Sequence, residues 1–259
     1  MTSDLGRPPT TQLKASGATD KGRIRPTNED SFAVREDLRL CVIADGMGGH
    51  NAGEVASRVA VDAVVECCSA VPDSWPFGYD DSLSADGNLL RTALHRANLS
   101  ILETAITSDR YIGMGTTLVI ARVTDGHLAV AHAGDSRLYL FRDRRLRQIT
   151  QDDSWIATML AADAHVDQET LMNHPMRNAL TNVVGTGART EAHVVEQPTS
   201  PGDLLLLTTD GVHGVLEADQ LAGMVGDGDD LEAIAKRLVD AAMAAGSRDN
   251  CTAIVAKIG

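Results

Sequence analysis

Carboxylates recur at the ends of apolar runs in this chain. The run CVIADG stops at Asp45-Gly46 and LLLLTTDG stops at Asp210-Gly211. Asp249 stands just before the final apolar run in GSRDNCTAIV, the pair Glu29-Asp30 opens another, and Asp135 lies between two more in GDSR. One Asp-Gly pair reads as a turn and nothing else. Several in the same setting suggest a second use. Glycine lets the chain bend sharply and bring its carbonyl close to a ligand. Carboxylates gathered in one place repel one another unless a divalent cation lies among them. The set offers oxygen ligands alone, which suits Mg or Mn better than zinc. On spacing alone, separate turns and a shared cation site both stay open.

The elements that carry these residues follow from periodicity. Strand-like runs begin at Leu13, cover Asp30 to Val34 and Arg39 to Ala44, and return at Leu204 to Thr208 and Thr252 to Ile258. Apolar positions Val55, Val59, Ala60, Ala63 and Val64 share a helical face. A second stripe runs through Leu90, Leu94, Ala97, Ile101 and Ala105, with Asn88 as the expected cap. A third runs from Leu231 to Ala245. Residues 115–150 read as an antiparallel meander, with Asp125-Gly126 as a hairpin turn and Gly134-Asp135 as another junction. Residues 151–190 carry no strand signal and read as short helical pieces. Strands clustered in antiparallel groups, with helices between the groups, predict an α+β fold of two antiparallel sheets with helices packed outside.

Composition narrows the function. With 23 Lys+Arg against 36 Asp+Glu the formal net charge is −13. Such an acidic chain, only 3% aromatic, is a poor match for a nucleic acid. No apolar run reaches the ~18 residues of a membrane span. The polar start MTSDLGRPPT has no apolar stretch of the signal-peptide kind, so a cytoplasmic location is expected, with residues 1–12 as a flexible tail. The four cysteines form no CxxC pair and read as small buried residues in a reducing compartment.

The motifs also come in a recognisable order: GRIRPTNED (Gly22 to Asp30), ADGMGGH (Ala44 to His50), GTT (Gly115 to Thr117), GDSR (Gly134 to Arg137), TDG (Thr209 to Gly211) and RDNCT (Arg248 to Thr252). Each is weak alone, but the ordered series resembles the metal-dependent Ser/Thr protein phosphatases of the type 2C (PPM) family in their single-domain bacterial form. The resemblance covers about residues 13–259, read as one catalytic domain with a helical flap at about 151–190. It implies a central β-sandwich of two antiparallel sheets flanked by helices on both sides. It further implies hydrolysis of phosphoserine and phosphothreonine in proteins, by direct attack of a water or hydroxide shared by two Mn2+ or Mg2+ ions, with no phospho-enzyme. Two divalent cations would change the charge from −13 to −9.

By the same resemblance, Asp45 bridges the two ions, and the Gly46 carbonyl, Asp210 and Asp249 complete the protein ligands. Asp30 binds coordinated water, Glu29 and Asn250 support the site, and Asp135 shares a third, looser ion with Asp210. Arg25 holds the phosphate; its alternative is a solvated loop charge. Met47 stands where eukaryotic members place a proton-donating His, and bacterial relatives share this Met; the acid is then His50 or coordinated water, and the alternative reading of His50 is a structural or solvent-facing histidine. Asp153 stands where many bacterial relatives have His. The expected partners are phosphorylated proteins and the Ser/Thr kinase that modifies them, with neither nucleic acid nor membrane and with the chain as a monomer. Two rivals are a non-catalytic regulator, disfavoured because Asp45, Asp210 and Asp249 are all present, and a hydrolase of some other ester.

Overall fold

The computed structural model describes residues 11–49, 51–70, 74–162, 171, 174–226 and 230–259. Two antiparallel sheets stack face to face. One has the order β1 (Leu13–Asp20), β11 (Cys251–Ile258), β10 (Leu204–Thr208), β7 (Arg137–Arg142) and β8 (Arg145–Gln148). The other runs β2 (Asp30–Arg35), β3 (Leu40–Met47), β5 (Leu118–Thr124), β6 (His127–Ala133) and β9 (His193–Pro198), with short β4 (Gly115–Thr116) on the end of β3. Helices α1 (Ala52–Ser69) and α2 (Ala85–Ala105) cover this second sheet. Helices α4 (Asp210–His213), α5 (Ala218–Gly226) and α6 (Leu231–Ala244) cover the first. A further helix, α3 (Trp155–Ala162), lies in the segment after β8.

This layering explains why strands of an antiparallel sandwich read as continuous apolar runs. Both faces of each sheet are covered, so both sets of alternating side chains are buried. Leu205 and Leu207 of β10 enter the core between the sheets, while Leu204 and Leu206 face the helices. In β3, Cys41 and Ile43 point between the sheets and Leu40, Val42 and Ala44 meet α1 and α2. Each fully buried Leu or Ile contributes about 2 kcal/mol of transfer free energy. All four cysteines are free; Cys41, Cys68 and Cys251 are buried as expected, while Cys67 is only partly buried.

Several expectations need correction. Residues 115–150 are not one meander. The β5–β6 hairpin, turned by Asp125 and Gly126 at positive φ, belongs to one sheet, and the β7–β8 hairpin belongs to the other. The chain crosses between sheets at Gly134–Ser136, where Gly134 takes φ +95. Helix α2 starts earlier than expected. Ser84 is its cap, accepting from the Gly87 amide at 3.1 Å, and Asn88 is buried inside, tying back to Asp80, Leu83 and Ser84. The buried face of α1 uses Ala56, Ser57, Ala60, Val61 and Val64, with Val55, Val59 and Ala63 at its margin. Small side chains there let the helix lie close to the sheet. Strand β9 was not foreseen, because HVVEQP is short, half polar and at a sheet edge. Part of the flap expected over 151–190 falls outside the described residues, as does most of the expected tail over 1–12.

Candidate metal centre and active site

The acidic strand ends meet at one edge of the sandwich. Antiparallel pairing puts the start of β2 beside the end of β3, so Asp30 and Asp45 are register partners. In the other sheet the end of β10 lies beside the start of β11: Thr209 donates to the Thr252 carbonyl at 3.1 Å, Asp210 follows Thr209, and Asp249 comes two residues before β11. The crossover between the sheets adds Asp135. A cavity of about 230 Å³ opens there, lined by Arg25, Glu29, Asp45, Gly46, Asp135, Asp210 and Asp249. All of these except Arg25, an exposed loop residue, sit on or next to strand ends, where backbone hydrogen bonding fixes them.

Local chemistry holds each in place. The Asp45 backbone is clamped on both sides: its N–H donates to Thr117 Oγ1 at 2.9 Å, and its carbonyl accepts from Thr117 N at 2.9 Å and Thr116 Oγ1 at 2.8 Å. Thr117 Oγ1 also shares a 2.7 Å hydrogen bond with Ser136 on the crossover. Asn250 organises the loop that carries Arg25 and Glu29. Its Oδ1 accepts from Glu29 N at 2.8 Å, and its Nδ2 donates to the Lys21 and Thr27 carbonyls at 2.8 and 2.9 Å. Gly46 donates to the Glu29 carbonyl at 3.0 Å. A Cβ on Gly46 would lie 2.0 Å from the Gly53 carbonyl oxygen and 2.6 Å from that of Glu29. Gly46→Ala is therefore expected to displace backbone and to destabilise the fold by at least about 1–3 kcal/mol, the usual cost of overpacking. A chemical-denaturation midpoint equal to wild type would refute this account of Gly46.

The electrostatics are those of a site short of positive charge. Burial, and then the neighbouring Asp210 and Asp249, push Asp30 up to about 7 even though its Oδ2 accepts from Thr209 and Thr252 at 2.9 and 2.6 Å. Asp135 is likewise pushed up to about 7, by burial first and Asp210 second. Burial and four surrounding aspartates hold Asp45 well above the usual carboxylate range. Asp210 is raised by burial first and then by Asp249. Glu29 is raised chiefly by burial. Arg25 is the cation in the cavity wall, with Nη2 2.6 Å from Asp249 Oδ2.

A divalent cation fits this donor set. The buried oxygens Asp30 Oδ1 and Asp210 Oδ1 have no hydrogen-bond partner, and a buried polar atom without one costs about 1–3 kcal/mol. Among the described residues, no three His, Cys, Asp or Glu side chains close into a compact ligand group by themselves. The carboxylates stand around an open cavity, the arrangement for ions that keep several waters.

The structure thus brings Arg25, Glu29, Asp30, Asp45, Gly46, Asp135, Asp210, Asp249 and Asn250 to one edge. His50 lies outside the described residues. Four cavity neighbours carried no assigned role in the sequence: Gly48, inside the ADGMGGH motif, and Thr117, Asn178 and Leu180. The GTT motif was the available signal for Thr117; nothing in the sequence marks Asn178 or Leu180.

Comparison with known proteins agrees with this geometry. The chain is 32% identical over 248 residues to the serine/threonine phosphatase stp of Listeria welshimeri, covering 94% of this chain and 95% of that one. It is 34% identical over 252 residues to the serine/threonine protein phosphatase PstP of Mycobacterium tuberculosis, covering 95% of this chain and 45% of that longer protein. The solved catalytic domain of PstP in complex with two manganese ions superposes with a TM-score of 0.78 at 31% identity, covering 96% of this chain and 99% of that one. The family model described as protein phosphatase 2C matches residues 25–249, the span from the loop arginine to the last of the clustered aspartates, and the chain belongs to that family.

Proposed function

We propose that this chain is a metal-dependent protein phosphatase that hydrolyses phosphoserine and phosphothreonine in proteins, with residues 13–259 as its catalytic unit. The observation that carries the reading is the cavity at the sandwich edge, where clustered aspartates, among them Asp210 with a partnerless buried oxygen, face one arginine. Asp45, the Gly46 carbonyl, Asp210 and Asp249 would hold two Mn2+ or Mg2+ ions. Asp135 would hold a third with Asp210, while Asp30 and Glu29 would receive hydrogen bonds from coordinated water. Such ions lower the pKa of water toward neutrality and neutralise charge on the phosphoryl oxygens.

The protein's own groups do the rest. Thr116 and Thr117 fix the backbone of Asp45. Asn250 fixes the loop of Arg25. Arg25 stands half exposed at the mouth, where its planar guanidinium can hold two phosphoryl oxygens at once. Arg25→Ala is expected to raise KM for a phosphothreonine peptide by roughly 10–100-fold, the range for losing charge-assisted hydrogen bonds. Arg25→Lys should fall between the two, because it keeps the charge and loses the fork. If Arg25→Ala left both kcat and KM at wild-type values, Arg25 would have no part in binding phosphate.

Substrates of this kind are made by protein kinases that act on Ser or Thr, so the chain is read as the opposing partner of such a kinase. Its free cysteines suit a reducing cytoplasm. The decisive assay is phosphate release from a phosphothreonine peptide and, beside it, from nucleotides, with Mn2+, with Mg2+ and with EDTA. Metal-dependent release from the peptide alone is expected. Release that is indifferent to EDTA, or confined to nucleotides, would overturn the proposal.

A further inference from the structure

Asp153 opens the flap segment, and its carboxyl is nearly enclosed, with 13% of the side chain exposed. Oδ2 accepts from the Gly134 amide at 3.0 Å and from Asn182 Nδ2 at 2.8 Å. Oδ1 accepts from His193 Nε2 at 2.9 Å. The backbone of Asp153 makes parallel ties: its N–H donates to the Gly134 carbonyl at 3.0 Å, and its carbonyl accepts from Thr181 N at 2.8 Å. One residue thus joins the crossover between the sheets, the chain returning from the flap, and the start of β9.

Two of those segments reach the cavity. Asp135 is the neighbour of Gly134, and Leu180 that of Thr181; both line the cavity wall. The crossover has little room to move. A Cβ on Gly134 would lie 2.7 Å from the Thr117 side chain, the same threonine that clamps Asp45. His193 is steadied in turn by His132, its register partner in β6, with ring centroids 5.2 Å apart.

We propose that Asp153, braced by His193 and Asn182, is a positioning residue that sets Asp135 toward its cation and ties the segment returning from the flap to the same point. The proposal rests on the reading of Asp135 as a ligand. Three donors converge on the two oxygens of Asp153. Asparagine has one oxygen and no charge, so Asp153→Asn either turns an N–H toward one of those donors or forces His193 into its other tautomer, and loosens the tie.

The test is Mn2+ binding, followed by the electron paramagnetic resonance signal of the free ion, with circular dichroism to check folding. Asp135→Ala is expected to remove the weakest binding step. Asp153→Asn should weaken that step by roughly 10–100-fold, the usual effect of losing a group that orients a metal ligand, and leave the tighter steps in place. His193→Ala should move it in the same direction, and His193→Gln, which keeps an N–H donor, should restore it. That pair also decides the matter if Asp153→Asn does not fold.

A weakest step unchanged in folded Asp153→Asn and in His193→Ala would overturn the proposal while leaving Asp135 as a ligand. Uniform weakening of every step would mean only general loosening, and would overturn it too. A weakest step that survives Asp135→Ala would remove the ligand reading itself, and the positioning role with it.

Discussion

Asp45→Asn is expected to lower kcat/KM for a phosphothreonine peptide by on the order of 10³-fold or more while the protein stays folded. A cation acting as Lewis acid supplies several kcal/mol of transition-state stabilisation, and each 1.36 kcal/mol is tenfold in rate. Asp45 is the carboxylate most enclosed by others, with Asp30, Asp135, Asp210 and Asp249 all acting on it. The amide keeps the shape and loses the charge. The same change should raise the melting temperature of metal-free protein at pH 8, because it removes an ionised group from a crowd of like charges. Loss of activity together with gain of stability separates a damaged site from a damaged fold. Near wild-type turnover in Asp45→Asn would remove this residue from the centre of the site.

The second large effect is the dependence of metal-free stability on pH. A carboxyl whose folded pKa is raised contributes stability at low pH that is lost as pH rises through the folded value. Asp30 and Asp135 are pushed up to about 7 in the folded protein, and burial with the neighbouring aspartates holds Asp45 well above the usual carboxylate range. Histidines act in the opposite sense lower down. Burial holds His132 at about 4 and also depresses His95 and His213, so folding gains stability from them as pH rises to about 6.5. Above pH 6.5 the histidine gain fades over about one further unit while the aspartate loss continues. Between pH 6.5 and 8 the ionisation of Asp30 and Asp135 is expected to remove about 1.5 kcal/mol, with Asp45 adding to the loss and the histidines returning part of it, so that Tm falls by a few degrees. Mn2+ at a hundred times its Kd should return about 2.7 kcal/mol and flatten the slope, because cations then replace the missing protons. Differential scanning calorimetry of EDTA-treated and Mn2+-loaded protein would check this. A metal-free Tm that holds steady or climbs across that range would show that the carboxylates are not crowded in solution.

Much of this site could be read from the chain because its carboxylates stand at strand ends. An apolar run that halts at Asp-Gly records a strand end and a charged group in the same few letters, as at Asp45 and Asp210. The crossover at Asp135 was less legible. GDSR between two apolar runs looks like an ordinary hairpin, and only the pairing of β6 with β9 and of β7 with β10 shows that the sheets part there. Asn88 has the chemistry of a cap, but Ser84 won that place and left Asn88 to knit the preceding turn together. Asn178 and Leu180 were invisible because tertiary folding alone brings their segment to the cavity. In the sequence Asp153 stands out only as a departure from a family pattern; its ties to Gly134, Asn182 and His193 span too much of the chain to be inferred.

The division of the aspartates between two sheets has a consequence for the protein's lifetime. Asp45 ends a strand of one sheet, and Asp210 follows a strand of the other. An ion held by both would act as a removable rivet across the open edge of the sandwich. Separating the sheets would require the ion to leave first, so degradation that proceeds through the opened state would slow when the ion is bound. A cell short of manganese or magnesium would then lose abundance of this protein as well as its turnover, and the balance between phosphorylation and its reversal would shift twice for a single cause.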